Sequence, residues 1–121
     1  MKGKIELQNA ITIGGRETKE IEYDTDAITA DLTIKACALA TQESMRLGSI
    51  TGAAIVFDYP TQIMLGFAAA EAVNPDADML TLKNHVRGAD VMKFMEVGAN
   101  FTRSSGEEEE NGQENPTSEN A

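Results

Sequence analysis

Tryptophan is missing from this chain, and aromatic residues make up only 5% of its 121 positions. A core of this composition cannot rest on large rings and must be built from aliphatic side chains and from the six Met residues. Met packs adaptably, so it serves equally as core filler and as a surface that accepts variable helices. There is one cysteine, Cys37, which excludes an internal disulfide. There is also one histidine, His85. One Cys and one His cannot supply the ligand set of a usual zinc site. Any Ser–His or Cys–His pair would have to use His85, and nothing in the sequence sets it beside a nucleophile. Cys37 sits among Ala residues and reads as a small buried hydrophobe. His85 reads as a partly exposed residue at a helix end.

Long apolar runs are absent too. No segment reaches the ~18 to 20 residues of a membrane span. The charged start Met1-Lys2-Gly3-Lys4 is not followed by an apolar run of signal-peptide length. With the low cysteine count, these features predict a cytoplasmic protein with no membrane partner.

Basic charge is scarce. Ten Lys and Arg face twenty Asp and Glu, for a formal net charge of -10. Residues 104–121 hold six of the acids and no base, so the other 103 residues are only mildly acidic. Nucleic-acid binding is disfavoured, because phosphate contacts need a basic surface.

What is present predicts an α+β domain: an N-terminal β-hairpin, then three to four short helices, then a disordered acidic tail. Residues 4–13 alternate partly, with Ile5, Leu7, Ile11 and Ile13 on one parity. Gly14-Gly15 is a strong turn signal, and Ile21 and Tyr23 alternate with acids beyond it. An isolated hairpin is marginal in water, so this one must pack on something.

The period changes over residues 26–44, where Leu32, Ala36, Leu39 and Ala40 share a helical face and Ile28 leads in. Thr25, Asp26 and Thr29 are candidate caps, and Gly48 marks the end. Residues 48–57 read either as a short strand or as an apolar lead-in to the next helix. Asp58 is a candidate N-cap, with Pro60 in the first turn. Tyr59, Ile63, Phe67 and Ala70 repeat at helical spacing, and Asn74-Pro75-Asp76 closes that helix. A short helix over residues 79–86 and a break at Arg87-Gly88 lead to the last helix, residues 89–101. Val91, Phe94, Met95, Gly98 and Phe101 line one face of it. From Ser104 the composition cannot bury apolar surface. The expected organisation is one domain over 1–103 and a disordered tail over 104–121.

No catalytic, metal or cofactor site emerges. Gly14-Gly15-Arg16 is not followed by a helix and reads as a hairpin turn rather than a phosphate loop. Asp24, Asp26 and Asp31 lack the spacing of a calcium loop. Capping and solvation account for them, and for Asp76 and Asp78. The run Glu107 to Glu110 reads as a solvated tail.

Several segments carry a likeness. They are the opening hairpin, the helix start Ile28-Thr29-Ala30-Asp31-Leu32, and the Ala-rich helix from Ile63 to Ala70. The last is Leu80-Thr81-Leu82 followed by Gly88-Ala89-Asp90-Val91 and a helix ending in Asn100-Phe101. Over about residues 4–101 the chain resembles the tail assembly chaperones of long-tailed bacteriophages. It departs from them in having Phe101 followed by Thr102 where paired aromatics are frequent, and in the Gly- and Ala-rich stretch 48–57.

The resemblance implies a non-catalytic protein that binds the long helical tape measure protein, keeps it soluble, and helps the tail tube protein assemble around it. It implies action in the host cytoplasm and absence from the mature virion. Homo-oligomerisation and a frameshifted longer form stay open. For a groove that takes an amphipathic helix, the candidate contacts are Met64, Phe67, Met92 and Met95, unless they prove to be core. Three other readings compete: a virion structural protein of tail or capsid, an acidic DNA mimic, and a small enzyme built on a buried carboxylate pair.

Overall fold

The computed structural model describes residues 1–46 and 59–113, with side chains over 1–42 and 59–103. Two antiparallel strands, β1 (Lys2–Ile13) and β2 (Arg16–Asp24), form the hairpin. Gly14 and Gly15 both have positive φ, at 59° and 80°. That conformation at both central positions lets a two-residue turn follow the twist of the strands, and glycine adopts it without strain. Ile5, Leu7, Ile11, Ile13 and Ile21 are buried on one face, as the alternation predicts.

The ladder is interrupted. Glu6 pairs with Glu20 and Ile11 with Thr18, so five steps along β1 stand opposite two along β2. The surplus residues of β1 bulge away from their partner strand, and their backbone groups must find other partners.

A single 3-10 turn, Thr25–Ala27, follows, with the Asp24 carboxylate accepting from the Asp26 N–H at 3.0 Å. Helix α1 is described over Ala30–Arg46. Of the three candidate caps, Thr29 is the one that caps it: its Oγ1 accepts from the Leu32 N–H at 3.1 Å. Ala36 and Ala40 are fully covered, with Ile28, Leu32 and Leu39 packed partly against the core. The end expected near Gly48, the stretch 48–57 and the cap at Asp58 lie outside the described residues.

Helix α2 (Tyr59–Glu71) is the centre of the fold. It packs against α4 most extensively and also meets α1, α3 (Met79–His85) and β2. Every residue from Met64 to Ala70 is buried, whereas the sequence pattern predicts a one-sided stripe. Tyr59, expected on that stripe, is exposed. Four of those seven residues are Gly or Ala, which lets neighbours close in from several directions at once.

Helix α4 runs Ala89–Gln113, past the end expected at Phe101 and past the change of composition at Ser104. Glu107 to Glu110 are good helix formers and no Pro lies between Ser104 and Gln113. Residues 114–121 lie outside the described residues.

Helices α2 and α4 touch backbone to backbone. A Cβ at Gly66 would overlap the carbonyl of Phe94, and a Cβ at Gly98 would overlap the carbonyl of Gln62. The two contacts are reciprocal, each glycine lying four residues beyond the carbonyl that meets the other. A glycine inside a helix costs about 1 kcal/mol relative to Ala; here the close approach offsets it. The Phe67 and Phe94 rings meet edge to face beside this crossing, with centroids 5.0 Å apart.

Gly66→Ala and Gly98→Ala should each lower the unfolding free energy by at least about 2 kcal/mol, because backbone atoms cannot step aside as side chains do. Urea unfolding of both variants checks this. A Gly98→Ala protein as stable as the parent contradicts the crossing.

Candidate functional site

Asp90 is the most buried carboxylate among the described residues, with 1% of its surface exposed. It lies in the first turn of α4, after Gly88, whose φ of 66° turns the chain out of α3. Its two oxygens accept from the backbone N–H groups of Gln8 (2.9 Å) and Asn9 (3.0 Å). Those N–H groups belong to the bulged part of β1 that β2 leaves unpaired. Lys93 joins the cluster: its Nζ lies 3.3 Å from Asp90 and donates to the Glu6 carbonyl at 2.6 Å. Burial alone would push the Asp90 carboxyl up. The hydrogen bonds from Gln8 and Asn9, with the nearby Lys93 ammonium, outweigh it and hold the carboxyl below its ordinary value. The chemistry of this site is therefore acceptance of hydrogen bonds by a permanent carboxylate.

The four residues expected to meet a partner do not form one surface. Met64 (5% exposed) and Phe67 (3%) belong to the core, so they are withdrawn as contact residues. The reason is that α2 is covered on every side from Met64 to Ala70. Met92 on α4 is 55% exposed, and Met95 is half-buried. Cys37 is half-buried rather than fully buried. His85 is exposed at the last position of α3, its Nδ1 2.8 Å from the Thr81 carbonyl.

An apolar groove that the sequence pattern does not single out lies between α1 and the start of α3. It has a volume of about 380 Å³ and a mostly apolar lining. Ala38 and Leu39 line it from α1, and Met79 and Leu80 from α3. Met79 is buried while Leu80 is 51% exposed. Three charged side chains complete the lining: Lys35, Glu71 and Asp78. One oxygen of Glu71 accepts from the Met79 N–H at 2.9 Å, fixing where α3 begins. Lys35 is paired with Asp31 at 3.2 Å. Asp78 precedes α3 without a side-chain capping bond. The signal for this groove was Leu80, which stands in a helical run beside Met79 and Leu82, and whose exposure the pattern alone does not reveal.

A second cavity, of about 360 Å³, lies at the open end of the hairpin against Val73. A polar one borders the hairpin turn at Asn74 and Asp76. No group of three or more His, Cys, Asp or Glu among the described residues is placed to hold a metal ion. No helix among them is long and apolar enough to cross a membrane.

Compared with protein-family models, with curated proteins and with solved structures, the chain matches none.

Asp90→Ala leaves the partly buried Gln8 and Asn9 N–H groups without this acceptor and should cost about 2 kcal/mol. Asp90→Asn should cost less, since one acceptor oxygen remains. A carboxyl held below its unfolded value adds stability that is fully present above that value and is lost as pH falls through the folded one. The stability gap between the parent and Asp90→Asn should therefore close as pH drops below about 3.8, the ordinary Asp value. Denaturation at a series of pH values measures it, and a gap independent of pH contradicts the clamp. Separately, Met64→Ala should cost about 2 to 5 kcal/mol as a core truncation. Met92→Ser should stay within about 0.5 kcal/mol of the parent. Thermal melts of the two variants compare them directly.

Proposed function

We propose that this chain is a tail assembly chaperone of a long-tailed bacteriophage. It binds the helical tape measure protein without catalysis, keeps it soluble and assists assembly of the tail tube protein around it. It acts in the host cytoplasm and is not retained in the virion. The observation that carries the reading is where the family-like residues fall. Leu80-Thr81-Leu82 opens α3, with Leu82 fully buried. Gly88-Ala89-Asp90-Val91 makes the corner into α4 and supplies the Asp90 clamp. Ile28-Thr29-Ala30-Asp31-Leu32 contains the Thr29 cap of α1. Residues that look like the family's motif are those that set the relative placement of hairpin and helices.

The surface supports a binding role as well. Ile34, Tyr59, Leu80 and Met92 expose large apolar side chains, of the kind that dock against the apolar stripe of an amphipathic helix. Among the described residues, the two most buried carboxylates are both engaged as hydrogen-bond acceptors, Asp90 for the hairpin and Asp24 for the 3-10 turn. That use of them favours structural work over acid–base work.

Co-expression with a tape measure protein from the same phage is the test. The partner should shift from the pellet to the soluble fraction and co-purify with this chain. A partner that aggregates to the same extent with and without the chain counts against the proposal.

A further inference from the structure

We propose that the groove between α1 and α3 is the seat of the partner helix, and that it selects a helix whose apolar stripe is flanked by Lys or Arg. This rests on the chaperone reading and adds to it a face and a partner chemistry. Leu80 is half-exposed on the first turn of α3, directly after the buried Met79. Across from it, Ala38 is too small to fill the space and Leu39 is only partly covered. Apolar side chains brought by a partner would find apolar walls on both sides.

The charges around the groove decide what kind of helix that is. Lys35, the one ammonium lining it among the described residues, already faces Asp31. Glu71 and Asp78 add two further carboxylates, and Asp78 has no capping bond to occupy it. Two carboxylates against one ammonium line the groove, and Asp31 already pairs with that ammonium, so the collar carries an excess of negative charge. Such a collar attracts a basic helix and repels an acidic one, setting specificity and the rate of encounter. It also disfavours a second copy of this chain, because each copy carries a formal charge of -10 and would bring a second negative collar to the contact.

The experiment titrates the full chain with two synthetic amphipathic helices of about five turns (~18 residues). Both carry Leu at i, i+3, i+4 and i+7; one is flanked by Lys and the other by Glu. The Lys peptide should bind, with amide shifts concentrated at Ala38, Leu39, Met79 and Leu80. The Glu peptide should bind at least about ten-fold more weakly. Leu80→Ser should weaken the Lys peptide by about ten-fold, the loss expected for an apolar contact of this size. Asp78→Lys should narrow the difference between the peptides. Leu80 is on the surface, so Leu80→Ser should leave the melting temperature unchanged. Asp78 is half-buried at the start of α3, where a cation opposes the helix dipole, so Asp78→Lys should lower it slightly. Three results overturn the proposal: equal binding of both peptides, shifts confined to another face, or self-association of the chain that Leu80→Ser abolishes. The same variants in co-expression with the tape measure protein separate this inference from the chaperone reading. If the parent and Leu80→Ser both keep that protein soluble, the groove is wrong and the chaperone stands. If the parent fails, the chaperone reading falls and the peptide titration alone decides the groove.

Discussion

A carboxylate in a protein interior is costly unless its oxygens are hydrogen-bonded, and Asp90 meets that condition by holding a broken part of the hairpin. The surplus residues of β1 leave the Gln8 and Asn9 N–H groups without partners on β2, and Asp90 accepts from both. The same interaction solves two problems at once. It satisfies a bulge inside a two-stranded sheet, which is marginal by itself, and it fixes the start of α4 against that sheet. Lys93 adds a second tie from the next turn of α4 to the Glu6 carbonyl. From there the constraint passes through the glycine crossing to α2, and from α2 to the helices on its other sides. The hairpin, α4 and α2 are thus joined through a carboxylate and two glycines.

This arrangement explains where a partner can bind. With α2 covered on every side from Met64 to Ala70, its Met and Phe are spent on the core and are closed to other molecules. The apolar side chains left over stand at the margins, on α1, at the start of α3 and on the outer face of α4. The groove between α1 and α3 is the place where two such margins face each other. Its floor is continuous with the core through Met79, and its collar is acidic. On the proposed chaperone reading, this apolar, charge-edged recess is where the partner helix would sit.

Much of the fold was legible in the sequence because its signals are local. Gly14-Gly15 names a two-residue turn and Gly88 a corner, each is found in that role, and the cap of α1 is one of the three candidates, Thr29. Alternation in β1 identifies the buried Ile and Leu side chains. The signals that failed depend on neighbours. An apolar stripe on α2 cannot be told from a helix apolar all round, so Met64 and Phe67 looked available. The bulge was hidden because Ile5, Leu7, Ile11 and Ile13 keep one parity across it, while the partner strand does not keep step. Asp90 looked like part of a motif, and its buried role follows only from where β1 lies. Gly98 was visible as a member of the packed face of α4, but its contact with α2 involves backbone and leaves no mark in a hydrophobic pattern. The groove depends on the exposure of Leu80, which periodicity does not report.

Hydrogen exchange on the chain alone and in its co-purified complex with a tape measure protein tests most directly whether a scaffold clamped by Asp90 presents the α1–α3 face to a helix. The account predicts slow exchange at Gln8 and Asn9 in both states, with new protection in the complex over Lys35 to Leu39 and Asp78 to Leu82. Fast exchange at Gln8 and Asn9, or new protection confined to the hairpin, would contradict it.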